Sequence, residues 1–116
     1  RTTTPNSTLQ VNGSLALKVT TFSGAGPHTA GDESVILVNT TGASGVVTLN
    51  LPDASTVPGR VYHIKLIAGS NMVSVVANGS QTIDGSPSQP LYTTFDRITI
   101  VSNGADWFIL ELLITG

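Results

Sequence analysis

The chain has 116 residues, enough for one domain with a core that needs no staples. Apolar residues make up 40% and charged residues only 10%, the net charge is −2 and there is no Cys. Disulfides and thiolate metal sites are therefore excluded, and the scattered basic residues Arg1, Lys18, Arg60, Lys65 and Arg97 form no patch for nucleic acid. No apolar stretch approaches the roughly 20 residues of a membrane span, so membrane insertion is not expected.

In chain order, the opening Arg1–Thr8 is polar and β-branched and reads as a linker from a preceding shaft or domain, the chain being part of something longer. Residues 9–116 read as a single β domain. Helical periodicity is absent, and short β-branched runs recur between turn residues. Strands are expected at Leu9–Val11, Leu15–Phe22, Ser34–Thr40, Val46–Leu51, Val61–Ile67, Met72–Val76, Leu91–Thr94, Arg97–Ser102 and Trp107–Thr115.

Asn12-Gly13, Asn78-Gly79 and Asn103-Gly104 match the type I′ hairpin dipeptide, whose central residues need positive φ. Thr41–Gly45 reads as a longer hairpin connection and Asp84-Gly85 as a tight turn. Pro52, Pro58, Pro87 and Pro90 fall in predicted loops.

Alternation predicts the buried faces. Tyr62, Ile64 and Leu66 face inward, as do Ile98 and Ile100. Ser34–Val38 and Trp107–Ile114 are apolar on both faces, with Phe108, Leu110, Leu112 and Ile114 on one side of the last strand. A strand apolar on both faces needs cover on both. With no helices to supply it, other copies of the chain are the economical source. The last strand, through Phe108, Leu110, Leu112 and Ile114, is the expected oligomer interface; the alternative is that Trp107–Ile114 is a central strand of a thick monomeric core.

Catalytic chemistry finds little support. His63 alternates onto the polar face beside Lys65. His28 and Thr29 lie in the Gly-rich loop Gly24–Gly31, the candidate ligand-contacting segment or else a plain solvated loop. No nucleophile elbow exists, Asp32 and Glu33 point apart on an extended chain, and the other Asp residues sit at turns. Two His without Cys make no zinc set. No catalytic residue, metal or cofactor is expected. The Asn-x-Ser/Thr sequons at Asn12 and Asn78 are better explained as turns.

Four segments carry a family resemblance, in order, over about two thirds of the chain between Asp32 and Leu110. They are Val47-Thr-Leu-Asn-Leu-Pro52, Val57-Pro-Gly-Arg-Val-Tyr-His-Ile-Lys65, Asn78-Gly-Ser-Gln-Thr-Ile-Asp-Gly85 and Ile98-Thr-Ile-Val-Ser-Asn-Gly-Ala-Asp-Trp107. Together they resemble the C-terminal head domains of virus and phage tail fibres and spikes. The resemblance implies a compact, usually trimeric β fold on the virion surface, without a catalytic site.

The motifs also have plain physical readings. Arg60 can tie its loop to a carboxylate such as Asp53 or simply be solvated, Ile83 can plug the core while Asp84 bonds nearby N–H groups, and Trp107 can anchor a core or interface with its N–H bonded. The combined expectation is an all-β, antiparallel, jelly-roll-like sandwich, assembled as a homotrimer, that meets a glycan or protein receptor on a host surface. The alternative is a monomeric carbohydrate-binding or adhesin module of a cellular protein, marked by an exposed aromatic platform.

Overall fold

A computed structural model of the chain describes residues 11–115. The expected linker and Leu9–Gln10 lie outside these residues. Within them are nine strands: β1 Val19–Ser23, β2 His28–Thr29, β3 Val35–Asn39, β4 Val47–Asn50, β5 Val61–Ala68, β6 Val73–Val76, β7 Ser88–Leu91, β8 Arg97–Ser102 and β9 Trp107–Leu113. A single 3₁₀ turn, Ala54–Thr56, interrupts them. Among the described residues no helix is long and apolar enough to cross a membrane.

Two sheets result, of order β1-β3-β5-β8-β9 and β2-β4-β6-β7. The first six strands alternate between them, so each sheet gains a strand with every winding of the chain. That winding makes β1, β3 and β5 mutually parallel, and likewise β2, β4 and β6. Parallel neighbours need a long crossover, usually a helix. Here the crossover is a strand of the opposite sheet. After β6 the chain turns back, and β7, β8 and β9 add antiparallel to β6, β5 and β8.

The expected all-antiparallel sandwich is thus corrected to one with mixed sheets. The reason is Thr41–Gly45, which carries the chain from one sheet to the other instead of closing a hairpin. A jelly roll pairs its strands antiparallel, so that label does not describe this winding.

The core between the sheets follows the alternation closely. Ile36, Val38, Tyr62, Leu66, Ile98, Ile100 and Trp107 are fully buried from one sheet, and Val47, Leu49, Val73, Val75 and Leu91 from the other. Ile83 plugs one end, bridging to both Ser86 and Trp107. Val35 and Leu37 point to the outer face and are only partly covered.

Turn chemistry departs from expectation in detail. At Asn103-Gly104 only the glycine has positive φ, so the loop is not type I′. It is a four-residue connection in which Asn103 Oδ1 accepts from the N–H groups of Ala105 and Asp106. Pro90 lies inside β7 rather than in a loop, opposite Ser74. It is tolerated because β7 is an edge strand and that position can lack a donor.

One buried carboxylate organises the β7–β8 loop. Asp96 accepts from the N–H and hydroxyl of Thr93, the N–H of Tyr92, and the N–H and hydroxyl of Thr115 beyond β9. Burial alone would push its pKa up, but these donors outweigh burial and hold the carboxyl well below the ordinary carboxylate range.

Candidate functional site

The outer face of the five-stranded sheet carries a groove of about 240 Å³ across β3, β5, β8 and β9. Its composition follows from register. Val35, His63, Thr99 and Glu111 form one cross-strand row, and Leu37, Lys65, Arg97 and Leu113 the next. In β3, β5 and β8 these rows are the outward half of alternating strands whose inward half is buried core, whereas the inner side of β9 is only partly covered. Val35 and Leu37 supply an apolar side, and the polar groups lie toward β8 and β9.

The polar groups contact one another across the strands. His63 Nδ1 lies 3.1 Å from Thr99 Oγ1. Arg97 Nε donates to Glu111 Oε1 at 3.2 Å, with both side chains exposed to solvent. Lys65 sits directly opposite Arg97. Among the described residues no carboxylate lies within ion-pair distance of Lys65. Its Nζ instead rests 5.2 Å from the ring centroid of Phe95.

Phe95 is unusual. It has φ of +77° and is 57% exposed, a conformation that costs a bulky L-residue energy. It immediately precedes Asp96, whose five hydrogen bonds hold the loop; Tyr92, 50% exposed, lies at the loop's start. Rigid support of this kind overcomes local backbone strain. Nothing in the sequence signals it, because Phe carries no turn preference.

The residues singled out from sequence fall in three places. His28 is not in a free loop. It begins β2, stacked on Phe22 with ring centroids 4.8 Å apart, and is half-buried. Thr29 beside it is exposed and pairs with Asn50 of β4. Neither adjoins the groove. His63 does stand on the outer face beside Lys65, as its alternation predicts.

The four interface candidates do not share one face. A register shift in the β8–β9 ladder leaves Leu110 without a partner. Phe108 pairs with Val101 on the outer face, whereas Leu112 pairs with inward-facing Ile98. Ile114 lies beyond β9 and packs against the core. Alternation read straight through Trp107–Ile114 fails because a bulge adds one residue and exchanges the faces after it.

Three smaller expectations also change. Arg60 donates to Gly31 O at 2.6 Å and lies over the Tyr62 ring, not against Asp53. Asp53 caps the 3₁₀ turn and accepts from Ser55 and Gln81, which lowers its pKa. Asp84 accepts from the N–H of Ile109 in β9 at 2.9 Å instead of from its own turn. Trp107 is wholly buried, and its Nε1 finds no acceptor among the described residues.

Among the described residues no three His, Asp or Glu side chains converge as a metal set. No protein-family model matches the chain, and no curated protein matches it.

Proposed function

We propose that this chain is a non-enzymatic structural domain of a virion fibre or spike, which assembles as a homotrimer and attaches the particle to a host surface. The observation that supports assembly is the half of β9 beyond its bulge. Loop residues Thr82 and Asp84 cover the start of its free edge, through bonds to Trp107 and Ile109. Leu110 is 63% exposed, and Leu112 and Leu113 follow it with 39% each. Apolar side chains along an open edge strand invite pairing with another chain, and the edge lacks the Lys or Pro that would discourage it.

The viral reading is supported by the four ordered motifs, which build β4, β5, the Ile83 plug and the β8–β9 hairpin. Low charge and abundant Ser and Thr suit a repetitive assembly. Attachment would then work by multivalency, each copy contributing a weak contact.

A monomeric carbohydrate-binding or adhesin module is the second reading, favoured by exposed Tyr92 and Phe95 at the β7–β8 loop. Sedimentation velocity on the purified protein at micromolar concentration separates the two. A trimer that binds host cells supports the proposal; a stable monomer overturns it.

A further inference from the structure

We propose that the groove on the outer face of the five-stranded sheet binds a carboxylate-bearing saccharide, with Lys65 and Arg97 holding the carboxylate. This rests on the attachment reading and names the site and ligand class through which attachment would act.

The argument begins with charge. Lys65 and Arg97 are direct cross-strand partners on one face. Like charges so placed repel each other. Glu111 answers only Arg97, at 3.2 Å, and no described carboxylate answers Lys65. The protein as a whole is negative, yet this patch carries a local positive excess. An anion between the two side chains would relieve their repulsion and give Lys65 its counter-charge.

The rest of the groove selects among anions. Inorganic anions need only donors. Here an apolar side made by Val35 and Leu37 lies next to the cations, which suits the C–H face of a sugar ring. His63 and Thr99 offer a ring nitrogen and a hydroxyl, and Glu111 offers an acceptor for sugar hydroxyls. The cavity, about 240 Å³, admits one monosaccharide unit rather than a long chain. An apolar surface, two cations and a carboxylate acceptor together match a pyranose acid better than phosphate, sulfate or a neutral sugar.

The test is a titration of the purified, assembled protein followed by amide and side-chain NMR shifts. The probes are N-acetylneuraminic acid, glucuronic acid, galactose and inorganic phosphate. At least one of the two sugar acids should shift Leu37, Lys65 and Thr99 with a Kd of about 1 mM, as a weak monovalent site requires. The Lys65→Ala variant should weaken that binding tenfold or more, Lys65→Arg should retain it, and Glu111→Gln should not abolish carboxylate binding. These are surface positions, so an unchanged thermal midpoint verifies folding. Equal binding of galactose or phosphate overturns the proposal, as does an affinity unaffected by Lys65→Ala. Cell binding measured in parallel separates the two levels. Undiminished attachment by Lys65→Ala sinks the groove alone, whereas no attachment by the wild-type protein sinks the reading beneath it.

Discussion

Leu112 and Ile98 face each other across the β8–β9 ladder, yet Ile98 is sealed in the core and Leu112 is 39% exposed. The five-stranded sheet is one strand wider than its partner sheet, and the inner face is left half open at β9. The same side of one sheet therefore serves two purposes, core at β8 and prospective interface at β9. Replacing Leu112 with Ser should leave a folded monomer and abolish the proposed trimer in sedimentation velocity. Ile98→Ala should instead destabilise each protomer by about 2–5 kcal/mol in chemical denaturation, because it opens a cavity in sealed core.

Asp96 should govern acid stability. Its folded pKa is depressed, so its contribution is complete above the unfolded carboxylate value of about 4 and is lost as pH falls toward the folded value. Asp96→Ala should cost about 2 kcal/mol at pH 7, since it removes the buried acceptor that the partly exposed N–H groups of Tyr92, Thr93 and Thr115 share. The gap between wild type and variant should close as the pH drops below about 4, read from urea melts at several pH values.

Trp107 combines a large buried ring, packed 5.5 Å from the Tyr62 ring, with an indole N–H that has no acceptor among the described residues. Trp107→Phe removes the orphan donor while keeping most of the ring. Its cost should stay near 1 kcal/mol, against about 3–5 kcal/mol for Trp107→Ala. Thermal denaturation of the two variants checks the difference.

Gly69 has φ of +100°, and a Cβ there would stand 2.6 Å from Thr41 N and 2.7 Å from Thr40 C. Backbone cannot retreat as a side chain can. Gly69→Ala should therefore destabilise by more than 2 kcal/mol, combining left-handed strain with the clash. Gly79→Ala, with open space around it, should cost about 1 kcal/mol. Equal costs for the two would show that the Thr40–Thr41 backbone yields.

Much of the fold was legible because alternation is a local property. Tyr62, Ile64, Leu66, Ile98 and Ile100 are inward-facing both by sequence and in three dimensions, and β8 falls where its pattern predicts. Strand position suffered where propensity was weak. The strand expected at Leu91–Thr94 ends instead at Leu91, because Asp96 recruits Tyr92 and Thr93 into a loop. β2 escaped notice because two residues show no period.

Of the groove, the sequence by itself determined His63 and Lys65 on one outward face and the excess of apolar residues in Ser34–Val38 and Trp107–Ile114. An alternating strand has only two faces, so those statements need no partner. The tertiary structure decided which strands lie side by side. Only the parallel winding brings Val35 and Leu37 beside His63 and Lys65, and only the β5–β8 register sets Lys65 against Arg97. It also decided the fate of the last strand, since one unpaired residue, Leu110, moved Leu112 to the opposite face from Phe108. Pairing between strands distant in sequence is set by long-range packing, and a bulge depends on the partner strand as much as on its own residues.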